Sequence, residues 1–459
     1  MKAESRFNNK GQSILEILIA LGVLVMGVSA AVFLFTSSQS LIIDANLSQQ
    51  AVSLSRQNLE IARQTGQQNF NALSSSSSTE NGFLKELIVE SVDADTKKIT
   101  SRASWQTGLS KIQKRELITL LTDWRSVVAL GASSGGSGGS PPSGNWGSPR
   151  TLASADLGPG NEGTDIEVKG QYAYLTSVAS NVSKPDLFVF NVSDPASPQL
   201  VSQTDFGIKG FNNLNISRNY LYAVSPSDSQ EFWIIDISNP AAPTAASYLN
   251  LSDSSDGLSV FYKNNFAYVG RKSGAPQEFV VIDVSNSFNP QYYSGATGVG
   301  TEINDIFVYN NRAYLGTEEN SNSMTIIDVS NPASPALIGS LNLGEHVYGV
   351  YVKSESAVYV GGKTKFYIAD ATNPASVNVI GSIATGDKVQ DVATAGNLAF
   401  LATANSNKEF QVMDISTSTS PTLYSYLNFP QSATGVDYLN NIIFLSVRSN
   451  DALRIITSQ

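Results

Sequence analysis

The first part of the chain carries one long apolar run followed by an amphipathic pattern. Residues 14–35 are 22 positions with a single charge, Glu16, and a helix of that length measures about 33 Å. Beyond this run, apolar residues recur at heptad-like spacing, at Leu47, Ala51, Leu54 and Ile61. No proline precedes Pro141, so the pattern predicts one helix that continues to about Gln64.

The next segments alternate between apolar and polar residues with the period of a half-buried strand. Strands are predicted at 84–92, 98–105 and 112–122, which together form a small β-meander. The serine run at 74–78 is interpreted as a surface loop. Residues 131–149 are rich in Gly, Ser and Pro and predict a flexible linker.

From residue 150 onward the pattern repeats. The clearest copies are IIDISNP at 234–240 and IIDVSNP at 326–332, and the centres of successive copies lie 42 to 47 residues apart. The weaker copies are centred on Asn191, Asp283, Asp370 and Asp414. A period of roughly 40–50 residues with four short strands is typical of a propeller blade. The repeated Asp is interpreted as a cap of the turn after the third strand, in preference to a metal ligand.

Counting the copies predicts seven blades. Six units are full, and a seventh, residues 435–459, supplies only three strands. We expect residues 150–157 to provide the missing outer strand, which closes the ring and leaves no open edge.

Composition narrows the chemistry. The chain has no Cys and one His, His346, which excludes disulfides, thiolate chemistry and the usual His-based metal sites. Residues 150–459 carry 16 Lys and Arg against 28 Asp and Glu, whereas residues 1–149 carry 13 against 11. The acidic second part argues against a nucleic acid ligand. A solitary loop histidine is interpreted as a surface residue, and no catalytic residue is predicted.

Three carboxylates begin inner strands at equivalent repeat positions: Asp165, Asp305 and Asp391. The remaining repeats are expected to place Asn213, Ser259, Val350 and Gly435 there. The set predicts a ring at one channel mouth, made of strand-start caps. The alternative is a ligand site, in which the carboxylates hold Ca²⁺ or a cationic group. No other cofactor or metal is predicted.

The N-terminal stretch KGQSILE at 10–16, with its basic leader and the apolar run behind it, resembles the N-terminus of type IV prepilins. The resemblance implies that a prepilin peptidase cuts after Gly11 and that the new N-terminus, Gln12, is methylated. It also implies that Glu16 pairs with the N-terminal amine of a neighbouring subunit. The family usually has Phe where this chain has Gln12. The repeats of 150–459 resemble the LVIVD-type repeats of bacterial surface proteins.

The expected fold is therefore a long N-terminal α-helix with a small β-meander, as in pilins, followed by an all-β propeller with seven blades. The predicted domains are a leader (1–11), a pilin-like helix and β head (12–130), a linker (131–149) and the propeller (150–459).

The function expected from these resemblances is that of a minor type IV pilin-like protein, not an enzyme. It would display the propeller as a binding or adhesion head on a pilus. Its partners would be the prepilin peptidase, other pilin subunits, the inner membrane before assembly and a surface protein or glycan. The protein would cross the bacterial cytoplasmic membrane once, with its C-terminus outside, before reaching the pilus or cell surface. The alternatives are a membrane-tethered propeller hydrolase or lyase, and a large pseudopilin of a secretion system.

Overall fold

The structure is a computed structural model of the 459-residue chain. It describes residues 10–68, 73–91, 96–107, 111–122, 142–251, 254–296, 298–299 and 301–459. The chain divides into two compact units, Met1–Val127 and Val128–Gln459. Most of the predicted leader and of the predicted linker lies outside the described residues.

The first unit consists of one helix and one antiparallel sheet. Helix α1 spans Lys10–Gln68. The sheet has the order β1-β2-β3-β4, and its strands are β1 (Ser76–Glu80), β2 (Phe83–Ser91), β3 (Thr96–Thr107) and β4 (Lys111–Thr122). Ala51 and Ala62 of α1 are buried with Ile99, Ala103 and Trp105 of β3. These side chains form the small core of the unit.

The fold class expected from the sequence is corrected in this unit. The serine run predicted as a surface loop contributes β1, which pairs with β2 from Ser76 opposite Leu87 to Glu80 opposite Phe83. The expected three-stranded pilin-like meander is therefore a four-stranded sheet. With the second unit, the described chain holds eight four-stranded sheets. The fold is consequently described by its β-sheets and not as a pilin-like domain joined to a propeller.

The predicted localisation is also corrected. Within the residues that the structure describes, no helix has both the length and the apolar character needed to cross a membrane. This finding contradicts the expected single-pass anchoring in the inner membrane. Gly11, Gln12 and Glu16 fall within the bounds of α1, but their side chains lie outside the described part of the chain.

The second unit contains seven four-stranded antiparallel sheets, numbered here as blades 1 to 7. Blade 1 is β6 (Asn161–Lys169), β7 (Tyr172–Ala179), β8 (Leu187–Asn191) and β9 (Gln199–Thr204); blade 2 is β10 (Asn213–Ser217), β11 (Tyr220–Val224), β12 (Phe232–Asp236) and β13 (Thr244–Leu249). Blade 3 is β14 (Gly257–Lys263), β15 (Phe266–Arg271), β16 (Phe279–Asp283) and β17 (Gln291–Ala296); blade 4 is β18 (Ile303–Tyr309), β19 (Arg312–Thr317), β20 (Met324–Asp328) and β21 (Ala336–Leu341).

The remaining blades follow the same order. Blade 5 is β22 (Val347–Ser354), β23 (Ala357–Gly362), β24 (Lys365–Asp370) and β25 (Asn378–Ala384), with a 3₁₀ helix at Pro374–Ser376; blade 6 is β26 (Val389–Ala395), β27 (Leu398–Thr403), β28 (Phe410–Asp414) and β29 (Thr422–Leu427). Blade 7 is β30 (Ala433–Leu439), β31 (Ile442–Val447), β32 (Leu453–Thr457) and β5 (Arg150–Ala155).

The third strand of a blade is apolar almost throughout, because both faces of the sheet are covered by neighbouring sheets. In β12 and β20, four consecutive residues are buried, and only the terminal Asp236 or Asp328 is partly exposed. The first strands contact one another in sequence, and β30 contacts β6. The blades therefore close into a ring around a central channel.

The interpretation of the repeated Asp as a turn cap is confirmed. Oδ1 of Asp236 accepts a hydrogen bond from the Ser238 N–H at 2.8 Å, and Asp328 accepts one from Ser330 at the same distance. The equivalent bonds are made by Asn191, Asp283, Asp370 and Asp414. Each side chain thus satisfies a backbone donor just after the strand ends.

Ring closure by the strand that follows residue 149 is also confirmed. β5 pairs with β32, with Arg150 opposite Thr457 and Ala155 opposite Leu453. Just before β5, Asn145 forms the same turn that Asn239 forms before the outer strand of blade 2. Its Oδ1 accepts from Gly147 N at 2.9 Å, as Asn239 accepts from Ala241 N at 3.2 Å.

Candidate functional site at one mouth of the channel

The first strands of all seven blades start at the same end of the channel and surround a cavity of about 340 Å³. One side chain from each blade forms what we call the entrance ring: Thr164, Asn212, Leu258, Asn304, Tyr348, Gln390 and Thr434. Arg448, which follows β31, also lines the cavity. The entrance ring and Arg448 therefore combine amide and hydroxyl groups with one aromatic ring, one aliphatic side chain and one cation, and Val178 also lines the cavity.

Several entrance-ring side chains are held by the backbone of the next blade. Thr164 Oγ1 donates to the Phe211 carbonyl at 2.6 Å, and Thr434 Oγ1 donates to Gly163 at 3.0 Å. The Nδ2 groups of Asn212 and Asn304 donate to the carbonyls of Gly257 and Val347, at 2.7 and 3.0 Å. These bonds fix the orientation of the ring and join the blades.

The predicted carboxylates lie one residue deeper, and all three line the same cavity. Each accepts a backbone N–H from the next blade. The donors are Leu214 N to Asp165 at 3.0 Å, Val350 N to Asp305 at 2.7 Å and Val436 N to Asp391 at 2.8 Å. The other oxygen of each carboxylate accepts from the residue that follows it in the chain. The carboxylates therefore act as caps that also latch neighbouring blades together.

One predicted member of this deeper ring is wrong. The residue equivalent to the carboxylates in blade 5 is Gly349, because Val350 is the residue whose N–H binds Asp305. Gly349 and Gly435 both lie close to the next blade. A Cβ atom on Gly435 would lie only 2.5 Å from Asp165 Oδ1, which is well inside van der Waals contact.

Burial makes the charged forms of these carboxyl groups unfavourable. Burial raises the pKa of Asp165 well above its ordinary value, and the nearby charge of Asp391 adds to this rise. The pKa of Asp305 is raised for the same two reasons. Burial raises the pKa of Asp391 to about 7, although two backbone N–H groups act in the opposite direction.

The alternative of a metal site finds no support in the geometry. Among the described residues, no group of three or more His, Cys, Asp and Glu side chains is placed to hold a metal ion. Both oxygens of each ring carboxylate already accept backbone hydrogen bonds. The chemistry of this ring fits inter-blade bonding better than coordination of Ca²⁺, which takes 6–8 oxygen ligands.

His346 lies on the loop before β22, as expected, and contacts Tyr348 of the cavity lining. Its Nδ1 is 3.4 Å from the Tyr348 hydroxyl and 4.0 Å from Glu318 Oε2. Lys388 Nζ lies 4.5 Å from the centroid of the Tyr348 ring. Burial, with nearby acidic groups, raises the pKa of Tyr348 to about 12. Tyr348 therefore keeps its proton at neutral pH.

A second set of latches, not predicted from the sequence, lies two residues further along the first strands. Asp437, Glu167 and Asn215 accept N–H groups from Val168, Ile216 and Tyr262 of the next blade, each at 2.7 Å. The sequence does contain an indication of these contacts, because polar residues at alternate positions of an inner strand are unusual unless they have hydrogen-bond partners.

A further unpredicted set consists of buried acids at the start of third strands. Asp186, Glu231 and Glu409 accept backbone N–H groups from Phe206, Leu251 and Phe429, just after the outer strand of the same blade. Burial raises the pKa of Asp186 to about 7. These acids hold the loops that lead to the next entrance-ring residue.

Comparison with known proteins agrees with this architecture. Five segments match the LVIVD repeat, at residues 161–205, 212–250, 256–293, 302–342 and 386–428. All five lie in the propeller, and none of the comparisons supports the pilin-like N-terminus. No curated protein sequence matches the chain.

Solved propellers resemble the structure at low sequence identity. A catalytically inactive variant of virginiamycin B lyase from Staphylococcus aureus, with quinupristin, superposes with a TM-score of 0.52 and 11% identity, over 68% of this chain and 100% of that one. The WD40 β-propeller domain of Doa1 gives a TM-score of 0.51 and 10% identity, over 68% and 97%. At such identities the likeness establishes the fold alone. The chain is therefore a β-propeller protein with LVIVD repeats.

Proposed function

We propose that the propeller is a binding module and that its ligand enters the cavity at the entrance ring. The observation that carries the proposal is the asymmetry of this ring. Seven equivalent backbone positions carry amide, hydroxyl, aromatic and aliphatic side chains around one cavity, and inter-blade hydrogen bonds hold several of them in place. A rigid scaffold with varied side chains at one pocket suits recognition of a ligand.

Binding is favoured over catalysis because the groups that catalyse proton transfer are engaged elsewhere. The three ring carboxylates accept backbone N–H groups, and burial raises the pKa of Tyr348 to about 12, which makes it a poor general base. A propeller lyase or hydrolase is the alternative, and the contact between His346 and Tyr348 at the cavity is the feature that favours it.

We further propose that the N-terminal segment displays this module on a pilus, as a minor type IV pilin-like protein. The support is the KGQSILE motif at 10–16 and its basic leader. Under this proposal a prepilin peptidase cleaves after Gly11, and Glu16 mediates assembly with other pilin subunits. N-terminal sequencing of the mature protein tests the cleavage, and a mature chain that starts at Met1 contradicts it.

The binding function is tested with the full chain and a variant that fills the cavity. Leu258→Trp should abolish attachment of the labelled protein to its target cells or surface. Leu200→Trp is the matched control, because Leu200 is 49% exposed on the outer strand β9, and it should bind normally. Attachment that survives Leu258→Trp, or turnover in a hydrolase and lyase panel that is lost in His346→Ala, contradicts the proposal.

A further inference from the structure

The side chains at the mouth differ in how much of their hydrogen-bonding capacity the fold already uses. Asn212 and Asn304 donate through Nδ2 to neighbouring carbonyls, so each presents a carboxamide oxygen as an acceptor. Gln390 makes no side-chain hydrogen bond within the described part of the chain, so it offers both an acceptor and two donors. Arg448 adds donors at the edge of the cavity.

The carboxylates beneath the entrance ring contribute little to the surface that a ligand meets. Asp165, Asp305 and Asp391 are 4%, 6% and 7% exposed, and both oxygens of each accept backbone N–H groups. A cationic ligand would need free carboxylate oxygens to offset its own desolvation. These carboxylates are already used by the fold and do not supply such oxygens.

Apart from Arg448 at the same cavity, the groups left at the mouth are thus neutral acceptors and donors side by side, with one aromatic ring. A ligand that fits them presents hydroxyl groups, because each hydroxyl both donates and accepts. The volume of about 340 Å³ lies at the small end of the 300–1,000 Å³ typical of ligand pockets. It therefore suits one or two sugar units and not a long chain lying across the ring.

We infer that the entrance ring recognises the uncharged sugar residue at the end of a glycan, with Gln390 as a principal hydrogen-bonding side chain. This inference rests on the proposed binding function and specifies its ligand. Asn212 and Asn304 accept from sugar hydroxyls, and Gln390 both donates and accepts. Tyr348 supplies the aromatic ring of the lining.

The experiment is ligand-observed NMR and calorimetry on the full chain with three classes of sugar probe. Glucose, galactose and mannose represent neutral hexoses, glucosamine carries a cationic amine, and glucuronic acid carries a carboxylate. We expect at least one neutral hexose to bind and to outcompete both charged probes. Gln390→Ala should weaken that binding about tenfold, which is the size of one hydrogen-bonding contact.

Gln203→Ala is the matched control, because Gln203 is exposed on the outer strand β9, and its hexose affinity should equal that of the parent. Tighter binding of glucosamine or of glucuronic acid than of any neutral hexose overturns the inference, as does a hexose affinity that Gln390→Ala leaves unchanged. If no sugar binds but attachment to cells is lost in Leu258→Trp, the sugar inference fails while the proposed binding function stands. If attachment itself is insensitive to Leu258→Trp, the proposed function fails first.

Discussion

Two parts of the channel wall differ at one position of the first strand, two residues after the position of the ring carboxylates. In blades 7, 1 and 2 this position holds Asp437, Glu167 and Asn215, which bind backbone N–H groups of the next blade. In blades 3, 4 and 5 the equivalent residues are aromatic: Phe261, Phe307 and Tyr351. Their successive ring centroids are 5.1 Å apart.

The difference shows that the same position of the first strand supports two kinds of contact between blades. Hydrogen bonds are directional and net about 1 kcal/mol each, whereas buried aromatic pairs contribute through area as well as through ring geometry. The polar half contains the seam that β5 closes, where the two chain segments must align in register. We infer that directional bonds favour the correct register there, and that the aromatic half supplies more of the stability.

The largest expected effect is therefore in the aromatic half. Phe307→Ala removes a ring that is 2% exposed and packed between Phe261 and Tyr351, so the free energy of unfolding should fall by about 3–5 kcal/mol. Denaturant titration measures it. Phe288→Ala, at a side chain 69% exposed, is the control and should change little. A loss at Phe307 no larger than that of the control would contradict the assigned role of the aromatic half.

A smaller effect is expected in the polar half. Asp437→Ala leaves the buried Val168 N–H without its acceptor, which should cost about 1–3 kcal/mol in the free energy of unfolding. Asp437→Asn should cost less, because Asn215 makes the same bond from the equivalent position of blade 2. Equal losses for Ala and Asn would mean that the hydrogen bond is not what Asp437 contributes.

The pH dependence of stability sharpens the comparison further. The pKa of Asp391 is raised to about 7 in the folded chain by burial, so the folded state holds a proton that the unfolded state releases near pH 4. Stability should therefore fall as pH rises from about 4 to about 7. Asp391→Asn should flatten this slope, which melting curves across that range can measure. An unchanged slope would contradict the assignment.

The smallest effect is expected outside the channel, at the turn caps. Hydrogen bonds from Ser330 lower the pKa of Asp328, but the side chain is partly exposed, so solvent screens much of the gain. Asp328→Ala should lower the free energy of unfolding by about 0.5 kcal/mol. Asp328→Asn should be nearly neutral, since Asn191 caps the same turn in blade 1. If Asp328→Ala lowers the free energy of unfolding by more than Asp437→Ala does, the proposed order of these effects is wrong.

The features of the propeller that could be predicted from the sequence are those whose interacting residues lie close together in the chain. The spacing of the Asp and Asn-Pro positions predicted the turn caps, because each cap bonds a residue two positions away. It also predicted the need for an added outer strand in blade 7. The seventh turn was missed because Trp146 takes the place of proline, although Asn145 and Pro149 keep the repeat spacing.

Contacts between blades could not be predicted from the sequence in this way. Asp165 pairs with the N–H of Leu214, 49 residues later, and a backbone donor leaves no mark on residue identity. For that reason, Val350 was placed in the deeper ring in place of Gly349. In the first unit, β1 was missed because a run of serines matches no strand pattern, and its residues are exposed.

The closure of blade 7 has a consequence for how the protein is made. Ser458 donates to the Ser143 carbonyl across 315 residues of sequence, and Asn145 and Gln459 exchange backbone hydrogen bonds. On the ribosome, β5 emerges long before β32 exists, so the seventh blade stays incomplete until translation has ended. A nascent chain must therefore keep an unpaired strand soluble while six other blades form. A protein with its last few residues missing would present that strand to chaperones and proteases.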